Sequence, residues 1–275
     1  MNFDQLVKKI HQKKSFLCVG LDPDINYFPL HLRDSDNYEN YLEFNKKIID
    51  ATRDLCVAYK LNVAFYESLG MLGWQLYYDT IQYIGAEHFI ISDAKRGDIG
   101  NTSKMYAKTF FETFPTDAIT VSPYMGSDSV APFYQYEDKW VIILALTSNA
   151  GSEDFQMLAD ESGNLLFEKV ISISKYWGTL NNTMYVVGAT HPKEFKSVRK
   201  LIPDHFLLVP GVGRQGGNFS EICKHAINDH VGLLINVSRD IIYASQECDF
   251  ENDVRRVASD YQNIMQTFLE RRFEY

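Results

Sequence analysis

Phe89-Ile90-Ile91-Ser92-Asp93-Ala94-Lys95-Arg96-Gly97-Asp98-Ile99-Gly100-Asn101-Thr102 is the stretch that decides how this chain is read. It opens as an apolar run of buried-strand type and closes in a run of charges. Side chains alternate faces along a strand, so Asp93 and Lys95 are predicted to point the same way. Asp98 falls past the strand, in a loop loosened by Gly97 and Gly100, where alternation has no hold. A carboxylate and an ammonium on one face at a strand end are costly to desolvate unless they pair or take part in chemistry. Taken alone, the D-x-K pattern reads first as a salt bridge at a strand end.

Working outward, the apolar runs at residues 15–21, 58–63, 88–92, 118–122, 140–146, 184–187, 206–210 and 231–237 read as strands. Segments with helical spacing of apolar residues follow them, at residues 41–55, 68–84, 103–114, 127–136, 164–177, 192–201, 220–227 and 253–272. Residues 150–163 are polar and resist assignment. Strict strand–helix alternation implies a parallel sheet covered on both faces. Eight such units in 275 residues predict an α/β fold, a single (β/α)8 TIM barrel of eight parallel strands spanning residues 1–275. An open doubly wound sheet is compatible with the same pattern.

The formal net charge of −9 argues against a nucleic-acid-binding surface. No apolar run approaches the roughly 18 residues needed to span a bilayer. Residues 1–14 are charged and lack the apolar core of a signal peptide. Cys18, Cys56, Cys223 and Cys248 are far apart and form no C-x-x-C, which suits reduced thiols in a cytoplasmic protein better than disulfides or a zinc site. The histidines show no metal-binding spacing, so no metal is predicted.

In a barrel, Asp22, Lys60, Asp93, Lys95, Ser148, Gln215 and Arg239 all fall at or just beyond the C-terminal ends of strands. That is the rim where barrel enzymes build their active sites. Lys60, inside the strand YKLNVAF, is hard to explain as solvated surface; either it takes part in a site or it is a satisfied ion pair. Gly211-Val212-Gly213-Arg214-Gln215-Gly216 has the G-x-G-x-x-G form, but the next strand ends Ile235-Asn236-Val237 where a dinucleotide site needs an acidic residue. The loops after strands seven and eight of a barrel often hold phosphate instead. Glycines there free backbone N–H groups to face an anion, Gln215 adds an amide donor and Arg239 a charged fork. Arg96-Gly97-Asp98 also spells an adhesion tripeptide, which carries no meaning inside an enzyme-like rim.

These residues together resemble the orotidine 5'-phosphate decarboxylase family, and its second subfamily in particular. Asp93-Ala94-Lys95-Arg96-Gly97-Asp98-Ile99-Gly100-Asn101-Thr102 matches the family's D-x-K-x-x-D-I-x-N-T stretch. Gly20-Leu21-Asp22, Lys60, Thr147-Ser148-Asn149, the loop from Pro210 to Gly217, and Ser238-Arg239-Asp240-Ile241-Ile242-Tyr243 match further motifs, so the resemblance covers nearly the whole chain. Two residues depart from it: Ala150 stands where the family usually has proline, and Asp240 where a small neutral residue is commoner. The resemblance implies loss of CO2 from orotidine 5'-phosphate to give UMP, the last step of pyrimidine nucleotide synthesis, without metal or organic cofactor. It implies an alternating charged tetrad of Lys60, Asp93, Lys95 and Asp98. It implies ribose contacts from Asp22 and Thr102, a pyrimidine contact from Ser148, and phosphate contacts from Gln215 and Arg239. It further implies a homodimer in which Asp98 and Thr102 cross to the partner's site. Two alternatives accompany it. One is a magnesium-dependent sugar-phosphate decarboxylase or aldolase of the same barrel type, whose members carry a glutamate where this chain has Lys60. The other is a catalytically silent barrel that only holds UMP.

Overall fold

A computed structural model describes residues 1–33, 37–213 and 219–273 of the protein. Eight strands close into one all-parallel barrel in sequential order, β1 to β8, with β1 also paired to β8. In chain order the elements begin with α1 (Phe3–Lys13), β1 (Leu17–Leu21), α2 (Tyr38–Thr52), β2 (Ala58–Asn62), α3 (Val63–Glu67) and α4 (Gly70–Ile84). They continue with β3 (Phe89–Arg96), α5 (Gly100–Lys108), β4 (Ala118–Val121), α6 (Ser127–Val130), β5 (Trp140–Leu146) and α7 (Ser152–Phe155). The last third holds α8 (Leu166–Ser174), β6 (Thr183–Val187), α9 (Phe195–Leu201), β7 (Phe206–Val209), α10 (Phe219–Ala226), β8 (Leu233–Val237), α11 (Arg239–Ile242) and α12 (Phe250–Phe273). Closure of the sheet excludes the open doubly wound alternative.

The strands are apolar almost throughout because both their faces are covered, by the barrel interior on one side and the helices on the other. Burial of β1, β4, β6, β7 and β8 is complete along their length. The seam between β1 and β8 depends on Gly20: a Cβ there would lie 1.8 Å from Ser238 Oγ, so any side chain would force the loop after β8 away from β1.

Three departures from the sequence reading have plain causes. Residues 1–14, notable in the sequence for their charge, contain α1, started by a capping box between Asn2 and Gln5. Phe3, Leu6 and Ile10 are buried, and Phe3 packs on Trp140 and Phe206, which open β5 and β7. Each fully buried apolar side chain of this kind contributes about 1.5–3 kcal/mol, enough to fix a helix whose other face is charged. Second, the helix expected at 68–84 begins earlier, as α3, and restarts at Gly70, whose φ of 64° suits glycine. Third, β3 runs on to Arg96, through the charges, rather than ending at Ser92.

Candidate active site

The extension of β3 brings the charged groups together, although not by simple alternation. Ser92 pairs with Ile119 and Arg96 with Val121, so four steps along β3 stand against two along β4. The slack is a bulge, and Lys95 sits in it with φ 48°, in the left-handed region. The side chains still converge. Asp93 Oδ1 accepts from Lys95 Nζ at 2.6 Å, and Asp93 Oδ2 from Lys60 Nζ at 2.9 Å. Lys60 Nζ lies 3.9 Å from Asp22 Oδ1, a charge contact too long for a hydrogen bond, and that oxygen is buried with no hydrogen-bond partner among the described residues. The order along the rim is therefore Asp22, Lys60, Asp93, Lys95.

Burial differs sharply within this row. The Lys60 side chain is 5% exposed and that of Asp93 10%, while Lys95 is 50% exposed. Burial by itself lowers the pKa of Lys60, but the carboxylates of Asp22 and Asp93 outweigh it and hold the group above the ordinary lysine range. Burial likewise raises Asp93, and the two lysines overcome it and hold the carboxyl well below the ordinary carboxylate range. Lys60 and Asp93 are thus a permanently charged buried pair.

Two adjoining cavities open on this pair. The larger, about 730 Å³, is lined by Asp22, Lys60, Asn62, Asp93 and Ser148, by the loop from Pro210 to Gly213, and by Asn236, Ser238, Arg239 and Asp240. The other, about 330 Å³, shares Lys60, Asp93 and Ser148, adds Lys95, and has an apolar floor of Leu144, Val186 and Leu208. One end suits a flat ring with few polar atoms. The opposite end has Gly211 at φ 85°, in a conformation natural to glycine, and the exposed Arg239, whose guanidinium forms no ion pair among the described residues. Asp240, half-buried, accepts from Tyr261 Oη at 3.0 Å and so turns part of its charge toward α12.

Residues Asp22, Lys60, Asp93, Lys95, Ser148 and Arg239 therefore line two adjoining cavities that share Lys60, Asp93 and Ser148. Asp98 and Thr102 do not line it within the same chain. Asp98 Oδ1 accepts from the N–H of Ile99, and Thr102 is exposed on α5. Gln215 lies outside the described residues. Arg96 pairs with Glu67 and stacks over Tyr106 and Phe110, so the adhesion tripeptide is tied into the fold. Among the described residues no cluster of three or more His, Cys, Asp or Glu is placed to hold a metal ion.

Several supporting residues escaped the sequence reading. The polar segment 150–163 forms α7 and then returns Gln156, whose Oε1 accepts from the Thr147 N–H at 2.7 Å and whose Nε2 donates to Thr147 Oγ1 at 2.9 Å. This braces the loop that carries Ser148. Thr190 Oγ1 donates to the Ser148 carbonyl at 3.2 Å from the other side. Tyr243 Oη donates to the Asp22 carbonyl at 2.7 Å and accepts from the Asp24 N–H at 2.8 Å, tying the loop after β1 to the one after β8. Two of these carry a signal in the sequence: Tyr243 ends the matched motif after β8, and Asn236 is polar inside the otherwise apolar run LLINV, its Nδ2 donating to the Cys18 carbonyl.

A closed parallel (β/α)8 barrel with a buried ion pair, an apolar cavity floor and an exposed arginine on its C-terminal rim has the layout of an enzyme of the barrel class. Residues 15–248 match the model of the "Orotidine 5'-phosphate decarboxylase / HUMPS family", and the chain belongs to that family. It is 53% identical over 268 residues to the orotidine 5'-phosphate decarboxylase of Bacteroides fragilis, covering 96% of this chain and 97% of that protein. The solved Leishmania donovani OMP decarboxylase is similar in structure, with a TM-score of 0.83 at 35% identity over 97% of this chain and 99% of the other. The Leishmania donovani UMP synthase superposes with a TM-score of 0.85 at 36% identity over 97% of this chain, which spans 56% of that longer one.

Proposed function

We propose that this protein is a carboxy-lyase that converts orotidine 5'-phosphate to UMP. The observation that carries the reading is the buried Lys60–Asp93 pair with Lys95 beside it, opening on adjoining cavities with Leu144, Val186 and Leu208 on one side and Gly211 and Arg239 on the other. The pyrimidine would lie over Leu144, Val186 and Leu208, against Ser148. Asp22, with its unpartnered buried oxygen, would take a ribose hydroxyl. Arg239, the loop after β7 and Gln215 would take the phosphate.

In this pose the C6 carboxylate faces Asp93. Two like charges ~4 Å apart cost about 4 kcal/mol at an effective dielectric of 20, a penalty relieved as CO2 leaves. The electron pair of the broken C–C bond stays on C6, where the Lys95 ammonium stabilises it and then supplies the proton. Lys60 holds Asp93 ionised throughout. Phosphate contacts remote from C6 supply binding energy for the strained contact at the reacting centre. The reaction written this way calls on no metal or organic cofactor. The magnesium-dependent alternative fares worse because Lys60 Nζ already occupies the space between the carboxylates of Asp22 and Asp93 and would repel a cation there.

We further infer a homodimer, with Asp98 and Thr102 serving the partner's site and so completing the tetrad and the ribose contacts. Ile99 and Met105, close to Asp98 and Thr102 in the chain, and Tyr124 and Met125, in the loop after β4, are 46–93% exposed, apolar side chains of the sort that a second copy covers. The chain is read as one barrel domain. A cytoplasmic location accords with four free cysteines, three of them buried, and none of its described helices is long and apolar enough to cross a membrane. The direct test is loss of orotidine 5'-phosphate absorbance with release of one CO2 per UMP formed, repeated after EDTA treatment. UMP binding without CO2 release would instead identify a silent binding barrel, and activity abolished by EDTA and restored by magnesium would identify the lyase alternative.

A further inference from the structure

The bulge that places Lys95 leaves a difficulty: its backbone N–H is turned out of the ladder between β3 and β4. The acceptor is the side chain of Thr120, in the middle of β4. Lys95 N donates to Thr120 Oγ1 at 2.9 Å. A threonine hydroxyl carries a single proton. Since the amide can only donate, that proton is free for another acceptor, and Asp93 Oδ1 lies 3.0 Å from Thr120 Oγ1. The direction of both bonds is thereby fixed. One fully buried hydroxyl holds the backbone of Lys95 and the carboxylate of Asp93 at once.

Asp93 Oδ1 has two donors, Thr120 and Lys95. The Lys95 side chain is half exposed, so its bond is open to competition from water and salt. Thr120 is the shielded one. Without it, Asp93 Oδ2 stays tied to Lys60 while Oδ1 is left to the exposed ammonium alone, and the Lys95 N–H loses its acceptor. We propose that Thr120 is a positioning residue for the decarboxylation, orienting the Asp93 carboxylate and fixing the left-handed backbone from which Lys95 reaches it. This rests on the proposed reaction, because the spacing between the Asp93 carboxylate and the Lys95 ammonium matters most where a carboxylate leaves and a proton arrives. It gives a role in the chemistry to β4, which supplies none of the residues matched to the family motifs.

The test compares wild type, Thr120→Val and Thr120→Ser. Valine keeps the shape and removes the hydroxyl; serine keeps the hydroxyl. Loss of a hydrogen bond to a charged group corresponds to roughly a ten- to hundredfold effect. The expected result is a fall of that size in kcat for Thr120→Val, with the UMP dissociation constant within about threefold of wild type, since UMP has no carboxylate to press on Asp93. Thr120→Ser should recover kcat to within about threefold of wild type, which a role confined to packing would not produce. A kcat for Thr120→Val within threefold of wild type, or a Thr120→Ser variant as impaired as Thr120→Val, would overturn the proposal. If Thr120→Val does not fold, Thr120→Ala carries the same expectation. A crystal structure of the folded variant supplies a readout independent of turnover. Should the wild type itself fail to act on orotidine 5'-phosphate, the reaction reading falls, and the positioning claim is still judged there. It falls too if Lys95 keeps its left-handed φ and Asp93 its orientation without the hydroxyl.

Discussion

Replacing Lys60 by methionine keeps the length of the side chain and removes its charge. In the native protein Lys60 Nζ lies 2.9 Å from Asp93 Oδ2 and 3.9 Å from Asp22 Oδ1, with the side chain 5% exposed. At an effective dielectric of 20 these contacts are worth about 6 and about 4 kcal/mol before desolvation is counted. Desolvation costs several kcal/mol per ion and cancels much of that gain. The variant recovers only the lysine's share, because Asp93 and Asp22 stay buried with one cation fewer. Breaking a buried pair in this one-sided way costs about 3–5 kcal/mol. At roughly 2–4 °C per kcal/mol for a chain of this size, Tm at neutral pH should fall by about 6–20 °C. The pH dependence has a definite sign. Asp93 is held below its unfolded pKa of about 3.9, so its contribution is complete above that value and is lost as the pH falls below it. Lys60 is held above its unfolded value of about 10.4, so its contribution is complete below that pH and is lost only in stronger alkali. The gap between wild type and variant should therefore be level from about pH 5 to 10 and narrow in acid. Urea unfolding followed by circular dichroism at pH 7 and pH 3.5 measures it. A variant as stable as wild type at pH 7 would refute the reasoning: the array would then be under net electrostatic strain, held in place by the barrel around it.

Lys95→Ala should abolish decarboxylation while UMP still binds, and turnover within tenfold of wild type would remove Lys95 as proton donor. Arg239→Ala should lower kcat/KM at least tenfold, the loss of a charged hydrogen bond worth about 1.5–3 kcal/mol. A substrate lacking the phosphate should be indifferent to that change; an equal loss with it would exclude Arg239 as a phosphate ligand. Mixing inactive Asp98→Ala and Lys95→Ala chains should restore activity as subunits exchange, toward about a quarter of wild-type sites, because each hybrid dimer then has one intact site. Exchange shown by mass spectrometry without returning activity would mean that Asp98 serves its own chain.

The alternation of eight apolar runs with eight helical segments was enough to predict the barrel, because buried parallel strands have to be apolar and their helices have to be amphipathic. The same logic put Asp22, Lys60, Asp93, Lys95, Ser148 and Arg239 on one rim, where they line the two adjoining cavities. Geometry that depends on departures from regularity was not legible. Alternation placed Asp93 and Lys95 together for a reason that the bulge between Ser92 and Arg96 replaces. Gln156 and Tyr243 act through single side chains on distant backbone atoms, a contact that no periodicity encodes. In α1 the apolar face is only Phe3, Leu6 and Ile10 among many charges, too thin a pattern to stand out as a helix.

The rim divides along the barrel. Asp22, Lys60, Asp93, Lys95 and Thr120 come from the first four strands or their ends, whereas Leu144, Ser148, Val186, Leu208, the loop from Pro210 to Gly213, and Arg239 come from the last four. The groups assigned to bond breaking, with the ribose contact Asp22 beside them, and those assigned to gripping the base and the phosphate thus sit on separate halves of one closed sheet. Tyr243 is a polar bridge across that division. For directed evolution this separates two kinds of change. On the proposed reading, libraries confined to the floor residues of β5, β6 and β7 should alter the choice of base while leaving the ion array intact, and mutations at Tyr243 should disturb the loops on both sides of the division.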